Sequence, residues 1–439
     1  MTTIENRARA GAQLADLAFS IAERLTKPEP IITAAGPAAA SLSRGLAGTA
    51  LLHARLSTHH PRFEAAAGLH WAQAAQLNSS GPSRAGGIFN GRGALATSLI
   101  LGAPYMPDPG QHRSSVVRGA RWLASRAAAI AAWQDGRRKR GEAGTPWHTY
   151  DVINGLAGIG AVLLAATRAG HADAEPGLAA ARDSLTAMIR SPAGGRPGWW
   201  RPAPRHPAAI ADPHNRDAAN TGLAHGIAGP LAFLALCQLA GHGGEAQSEA
   251  IDVAARWLLS WQAEDGWPPQ VTAEDLAGTA AAPSSRGRRD AWCYGTPGIG
   301  TALIAAGLAT ANQDLAEHGR TAIDAMSSRA DAWDTEGPTL CHGSAGVALC
   351  AQTAGSAATA ARATSELLAQ YNPALGFYFR HSDHGVTSDD PGLLTGAAGI
   401  ALTLAEQGGL AAPETAATWT AALLLPSAVS LPSANPNQE

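Results

Sequence analysis

Cysteine is scarce in this chain, and no two cysteines stand in a Cys-x-x-Cys pair. Only 4 cysteines occur among 439 residues, which is too few for the disulfide framework of a small secreted protein. Structural zinc sites usually take four ligands, commonly from Cys-x-x-Cys pairs, so the missing pair argues against such a site. We therefore expect a reducing compartment, the cytoplasm.

The chain also lacks an excess of charge and a long uninterrupted apolar run. Its net charge is -3, from 32 basic and 35 acidic residues, which creates no field for nucleic acid. The N-terminus lacks a signal-peptide layout, and no stretch approaches roughly eighteen consecutive apolar residues. With 46% hydrophobic residues, the composition indicates a soluble globular protein with a substantial core.

Glycine, in contrast, is abundant and recurs in one motif. A Gly-x-x-Gly followed by small and aliphatic residues begins at Gly45, Gly155, Gly226, Gly295, Gly343 and Gly396. A contracted seventh copy begins at Gly91. The first glycines lie 46 to 71 residues apart, which leaves room for two helices in each repeated unit.

Each unit contains two kinds of helical stretch. The run after a glycine pair, such as residues 299–308, is apolar on nearly all sides, as a fully buried helix should be. The stretches between these runs, such as residues 248–261, are amphipathic. The pattern predicts an all-α fold, an α/α toroid (barrel) of seven helical hairpins with inner and outer helix layers. The seven motif loops should then converge on one mouth.

We expect a single toroid domain over residues 1–425. The long intervals around residues 103–149 and 190–221 leave room for inserted loops or a subdomain, and the sequence does not choose between them. Residues 426–439 are predicted to form a disordered tail.

Two of the cysteines occupy nearly the same glycine frame in adjacent repeats. Cys293 and Cys341 each stand two residues before a motif glycine, and His342 follows Cys341 directly. Two thiolates and an imidazole make a three-ligand zinc site whose fourth position is open for chemistry. We therefore predict Zn2+ at these three residues. The alternative, buried free cysteine, is typical of Cys237 and Cys350, which lie in apolar helical runs.

The residue directly before each first motif glycine is polar and can form hydrogen bonds. In chain order these residues are Arg44, Asn90, Asn154, His225, Tyr294, His342 and Thr395. A ring of hydrogen-bonding groups is therefore expected around the mouth.

Four residues of these loops are candidate catalytic groups. His225 could transfer a proton or serve as a fourth metal ligand. Asp151 could orient His225 or cap the helix that begins after it. Arg289 and Tyr294, on either side of Cys293, are candidate donors to an oxyanion formed in the reaction. For Arg289 the rival interpretation is a solvated basic loop.

Taken together, these segments resemble the lanthionine synthetase C-like proteins, specifically the class I lanthipeptide cyclases. The resemblance covers about residues 40–405, and its segments are 150–158, 222–230, 292–298 and 341–346. It implies a seven-fold α/α toroid and zinc on the two cysteines and the histidine predicted above. It also implies a reaction centre formed by the four candidate catalytic residues.

The resemblance further implies a substrate and partners. The substrate would be a precursor peptide whose serines and threonines are dehydrated to dehydroalanine and dehydrobutyrine. A cysteine thiolate of that peptide would add to these residues and form (methyl)lanthionine thioether rings. A dehydratase and an export transporter are optional partners, and peripheral association with a membrane-bound biosynthetic complex is left open. Neither nucleic acid nor a transmembrane segment is expected.

Two other functions remain compatible with the sequence. A zinc-containing toroid could bind glutathione or a protein partner without cyclising anything. A protein prenyltransferase also has an α/α barrel and a zinc that activates a peptide thiolate, and residues 261–267 faintly resemble the turns of those enzymes. The Cys-His adjacency inside a Gly-x-x-Gly frame favours the cyclase.

Overall fold

The computed structural model of the chain describes residues 3–80, 86–202, 217–264, 266–279, 289–383, 385–413 and 418–426. Helices dominate these residues. The α-helices are α1 (Thr3–Arg24), α2 (Pro28–Ala35), α3 (Leu46–Leu56), α4 (Pro61–Ser80), α5 (Gly91–Gly102), α6 (Arg113–Lys139), α7 (Trp147–Tyr150), α8 (Leu156–Arg168), α9 (Glu175–Ile189), α10 (Ala228–Leu239), α11 (Glu245–Ser260), α12 (Ala273–Leu276), α13 (Thr296–Ala309), α14 (Gln313–Ala325), α15 (Ser344–Ala354), α16 (Ala357–Ala369) and α17 (Ala397–Gln407).

Strands are few and short in the described residues. β1 (Ala218–Asn220) pairs antiparallel with β2 (Gln270–Thr272), and β3 (His381–Asp383) pairs antiparallel with β4 (Val386–Ser388). Both pairs lie in connections between helices, so the helices supply most of the core, to which β1 adds Ala219. Of the helices described, not one combines the length and the apolar character needed to cross a membrane.

Seven helices form a closed inner ring in the described structure. Neighbours around the ring are in contact in the order α3, α5, α8, α10, α13, α15 and α17, and α17 contacts α3 again. These helices are buried nearly all round; every residue of α3, for example, is buried. The outer helices α4, α6, α9, α11, α14 and α16 each pack on the inner helix before them, and α1 packs on α17. The predicted α/α toroid of seven hairpins is confirmed.

A ring of backbone hydrogen bonds joins the motif loops, which we number 1 to 7 in chain order from the loop before Gly45 to the loop before Gly396. In each loop, the carbonyl two places before the first motif glycine accepts an amide hydrogen bond from the preceding loop. The seven bonds run from Leu42 N to Phe89 O (2.9 Å), Ile88 N to Ile153 O (3.2 Å), Val152 N to Ala224 O (3.0 Å), Ala224 N to Cys293 O (3.0 Å), Cys293 N to Cys341 O (3.3 Å), Cys341 N to Leu394 O (2.9 Å) and Leu394 N to Ser43 O (3.0 Å). All seven donate in the same sense, so the ring closes on itself and the loops surround one mouth.

The C-terminal segment 418–426 packs against the ends of the inner helices opposite the mouth. The amide of Trp419 donates to the Tyr105 hydroxyl (3.1 Å), and its indole donates to Glu406 in the last turn of α17 (2.9 Å). Further along, the carbonyl of Leu423 accepts a hydrogen bond from the indole of Trp292 on loop 5 (2.9 Å). The segment therefore runs inward from the far ends of the inner helices toward the mouth.

The two long intervals contain the following structure. Residues 113–139 form outer helix α6, which fills the second place in the outer layer. In the interval 190–221, residues 203–216 lie outside the described residues, and the rest is a loop that ends in β1. The single-domain boundary stays a prediction, and the predicted tail beyond residue 426 lies outside the described residues.

Two buried histidines meet in the first hairpin. His53 Nε2 bonds to the carbonyl of Ala22 (3.0 Å), and His70 Nδ1 bonds to the hydroxyl of Thr49 (2.8 Å). Burial lowers the pKa of His53 to about 3 and the pKa of His70 to about 4. Both imidazoles are therefore neutral in the folded protein at pH values where the unfolded chain binds protons.

We expect this pair to make the protein less stable as the pH falls below about 6.5, the usual histidine pKa. For each histidine, the free energy of unfolding should fall by at most about 1.4 kcal/mol per pH unit. Urea titrations between about pH 6.5 and about pH 5 measure this slope. His70→Asn should reduce the slope by at most one proton. His60→Asn, at an exposed position, is the comparison histidine variant. An unaltered slope in His70→Asn would contradict the assignment.

Candidate metal centre

Loops 5 and 6 bring Cys293, Cys341 and His342 together at the mouth. One ligand atom from each residue lies within 4.8 Å of the other two, and this is the one such group found among the described residues. Cys293 Sγ lies 3.1 Å from His342 Nδ1. Both cysteines are buried and the histidine is half-buried. The three residues that the sequence selected are thus adjacent in space.

This donor set fits zinc. Zinc binds cysteine sulfur at about 2.3 Å and histidine nitrogen at about 2.0–2.1 Å, which places the ligand atoms of a tetrahedral site roughly 3.5–3.8 Å apart. The spacing of the three residues, up to 4.8 Å, is compatible with that geometry. Three protein ligands would leave one coordination position for a further group.

The surroundings of Cys293 favour its thiolate. A hydrogen bond with Cys341 is the largest cause that lowers the pKa of the Cys293 thiol well below its usual value. The charge and hydrogen bond of His342 act in the same direction, whereas burial opposes them. At Cys237 and Cys350, burial instead raises the pKa of the thiol. The environment therefore separates one thiol that ionises readily from two inert core thiols.

Loops 3 and 4 place Asp151 against His225. The Asp151 side chain is fully buried, and its Oδ1 accepts hydrogen bonds from the amides of Asn154 (2.8 Å) and Gly155 (2.7 Å). Its Oδ2 lies 2.7 Å from His225 Nδ1. Asp151 therefore both ties the turn before α8 and orients His225, the two roles that the sequence left open. Because Nδ1 is bound to Asp151, Nε2 is the ring nitrogen that this hydrogen bond leaves unused.

Two residues that the sequence analysis did not select complete the surroundings of His225. The ring of Trp147 packs edge-on against the imidazole, with centroids 4.2 Å apart. Asn220 Nδ2 donates to the carbonyl of His225 (3.3 Å) and to the hydroxyl of Tyr294 (3.4 Å). Trp147 precedes Asp151 by four residues and Asn220 precedes His225 by five. Their position just before the segments 150–158 and 222–230 is the signal that could have found them.

Tyr294 is close to both Cys293 and His225. Its ring centroid is 6.3 Å from that of His225, and it follows Cys293 directly in the chain. Burial raises the pKa of Tyr294 above its usual value, and a negative charge on Cys293 raises it further. The phenol therefore stays protonated at neutral pH and can donate a hydrogen bond.

Arg289 is held in an ion pair at the edge of this site. Its Nη1 lies 3.1 Å from an Oε1 of Glu336, and each side chain is 21% exposed. The amide of Glu336 donates to the carbonyl of His342 (2.8 Å), and His381 stacks on the His342 ring at 6.2 Å. Glu336 and His381 were not selected from the sequence, and nothing in their local sequence marked them. Arg289 is thus ordered; residues 280–288 before it lie outside the described residues.

Loop 5 has a backbone shape that requires glycine. Gly295 has a φ of 95°, in the left-handed region that other residues adopt at a cost. A Cβ at this position would also lie 1.5 Å from the carbonyl oxygen of Arg289. In the same loop, the side chain of Asp290 accepts two hydrogen bonds from Arg329 (2.9 and 2.8 Å). The turn that carries Cys293 is therefore tightly specified.

Nearly the whole chain matches one protein family. The family model described as "Lanthionine synthetase C-like protein" matches residues 36–424. A stretch of 132 residues is 29% identical to the nisin biosynthesis protein NisC of Lactococcus lactis subsp. lactis, and covers 29% of this chain and 31% of that protein. The solved structure of nisin cyclase superposes with a TM-score of 0.69 at 19% identity, covering 94% of this chain and 97% of that one. This structural likeness shows the shared toroid fold.

We expect the purified protein to bind one zinc ion, and Cys341→Ala to lose it because only two ligands remain. Cys350→Ala is the matched control, since it removes another buried thiol that lies outside the cluster. Metal content after dialysis, measured by plasma mass spectrometry, gives the stoichiometry, and circular dichroism checks the fold. Full zinc content in a folded Cys341→Ala would show that Cys341 is not a ligand.

Proposed function

The chain belongs to the lanthionine synthetase C-like family, and we propose that it is a zinc-dependent peptide cyclase. Its substrate would be a precursor peptide that carries cysteines together with dehydroalanine or dehydrobutyrine. One observation carries the proposal: an open three-ligand cluster and an Asp151–His225 pair lie on neighbouring loops of one mouth. A metal site alone would serve binding, but an oriented imidazole next to it supports proton transfer.

The reaction requires a nucleophile at neutral pH. Bound zinc would supply it by stabilising the thiolate of a substrate cysteine. His225 Nε2 accepts the thiol proton, because the hydrogen bond to Asp151 holds Nδ1 and fixes the orientation of the ring. Trp147, packed against the imidazole, limits the positions that the ring can adopt.

Addition then forms the thioether. The thiolate sulfur bonds to the β-carbon of the dehydro residue, the carbon–carbon double bond breaks, and its electron pair moves onto the carbonyl as an enolate. Tyr294, which remains protonated, and Arg289 are the donors that would stabilise the enolate oxygen. His225 returns its proton to the α-carbon, so the enzyme ends the cycle unchanged. The products are lanthionine or methyllanthionine rings.

The two alternative functions, a binding protein and a prenyltransferase, account for fewer features of this site. A toroid that only binds glutathione or a protein would not require the buried carboxylate behind His225. A protein prenyltransferase would have to act on an isoprenyl diphosphate, and turnover with that substrate would count against the cyclase. For the cyclase, a dehydratase must act first to supply the dehydro residues, and an export transporter acting on the product would complete the proposed cytoplasmic pathway.

We expect His225→Asn to retain zinc and to cyclise about 10²- to 10⁴-fold more slowly, the usual loss when a general acid–base is removed. The substrate is a synthetic peptide with one cysteine and one dehydroalanine, and mass spectrometry after thiol alkylation counts unreacted cysteine. His60→Asn is the control histidine variant. Loss of zinc in His225→Asn would instead make His225 a metal ligand.

We expect Tyr294→Phe to slow the addition step while zinc content and fold stay unchanged. The variant removes one hydroxyl whose hydrogen bond comes from Asn220, so packing is preserved. Losing one oxyanion donor costs up to about 10²- to 10³-fold in rate. Single-turnover kinetics with the same peptide measure the step. A wild-type rate would remove the Tyr294 hydroxyl from the reaction.

A further inference from the structure

Asp390 on loop 7 repeats the arrangement of Asp151 on loop 3. Both carboxylates are buried, and in each the Oδ1 accepts an amide hydrogen bond from its own loop, which for Asp390 comes from Gly392 (2.8 Å). The Oδ2 of each faces the residue directly before the motif glycine of the next loop. For Asp151 that residue is His225 at 2.7 Å, and for Asp390 it is Arg44 Nε at 2.7 Å. A buried carboxylate of the preceding loop therefore orients both the imidazole of His225 and the guanidinium of Arg44.

The position of Arg44 is determined from several directions. Thr395 Oγ1 also donates to Asp390 Oδ2 (2.8 Å), and the amide of Arg44 donates to Ser41 Oγ (3.1 Å). Loop 7 approaches so closely that a Cβ on Gly392 would lie 2.2 Å from Arg44 Cα. A surface arginine with no task would not need such support. The guanidinium is thus pre-organised before any substrate arrives.

The outer edge of this guanidinium remains available at the mouth. The Arg44 side chain is 42% exposed, whereas that of Asp390 is 0% exposed. Asp390 takes up Nε, and no described residue takes up the two Nη groups. Arginine presents these donors as a planar fork that matches oxygen acceptors. Arg44 can therefore donate two further hydrogen bonds to a bound molecule.

The charge balance of the pair indicates which acceptor it takes. Asp390 compensates the charge of Arg44, so the site offers donors without a net positive charge. A second carboxylate would bring an uncompensated negative charge next to a buried one, which is unfavourable. A neutral carbonyl oxygen brings no such charge. The geometry therefore favours the carbonyl groups of a peptide main chain.

We propose that Arg44 forms a substrate subsite that binds main-chain carbonyl oxygens of the peptide; this inference rests on the proposed cyclase function. In the order of the ring, loop 1 lies between loops 7 and 2, on the arc away from loops 3 to 6, which carry the reacting groups. A peptide held there passes across the mouth without taking part in the chemistry. Because every residue has a carbonyl, such a contact tolerates different sequences and suits formation of several rings on one chain.

The test separates binding from chemistry with Arg44→Met, which keeps the aliphatic stem and removes the donors. With the synthetic cysteine–dehydroalanine peptide as its amide, we expect KM to rise about tenfold to a hundredfold, the range for losing hydrogen bonds from a charged group. We expect kcat to stay within about twofold and zinc content to stay unchanged. Arg44→Met/Asp390→Asn keeps the test valid if an unpaired buried carboxylate destabilises the single variant.

Other outcomes would overturn the subsite. An unchanged KM in folded Arg44→Met, or a fall in kcat without a rise in KM, would contradict a binding role for Arg44. Two versions of the peptide, with glutamate or with glutamine at one position, separate the possible acceptors. If Arg44→Met loses affinity only for the glutamate version, Arg44 binds a carboxylate instead of a carbonyl. If the wild type forms no thioether, the proposed function fails, and fluorescence anisotropy with an unreactive serine–alanine analogue still tests the subsite. Equal binding by wild type and Arg44→Met, or no binding by the wild type, would then overturn it.

Discussion

The closed ring of seven backbone hydrogen bonds between the motif loops is the constraint on which the site depends. Every bond is accepted by the carbonyl two places before a motif glycine, so the seven loops are held at one level. Cys293 and Cys341 are themselves members of this ring. The candidate metal ligands are therefore positioned by main-chain hydrogen bonds and by the packing of the inner helices beneath them. A closed ring of close-packed helices resists the loop motion that would separate Cys293 from Cys341.

A second constraint is the buried carboxylate. It orients individual side chains on the loops that the ring of backbone hydrogen bonds holds in place. Asp151 and Asp390 each connect their own loop to the next one and fix a side chain at its end. The surrounding charges then set protonation in opposite directions at neighbouring residues: the pKa of the Cys293 thiol is lowered while that of Tyr294 is raised. One residue is thereby disposed to give up its proton and its neighbour to keep it, a division typical of sites that move protons.

Much of the fold could be predicted because the same motif occurs seven times and each copy predicts the same kind of buried helix. Each Gly-x-x-Gly marks the start of an inner helix, and the apolar run after it can only be buried inside a second layer. The grouping of Cys293, Cys341 and His342 was also predictable, since equivalent positions of adjacent repeats must be neighbours in a closed ring. Arg44 appeared in the sequence as one polar residue of the mouth, but its partner could not be inferred. Asp390 lies 346 residues away, and only ring closure brings loop 7 back to loop 1.

The sequence by itself determined the repeat, the two helix layers, and the chemical identity of the groups at the mouth, because these follow from periodicity and from residue type. The tertiary structure decided which groups meet. It joined Asp151 to His225, placed Glu336 against Arg289 and His381 against His342, and led the C-terminal segment back to Trp292. These contacts span distant parts of the chain with no local pattern that records them. They exist because seven hairpins close into a ring, and closure is a property of the packed whole.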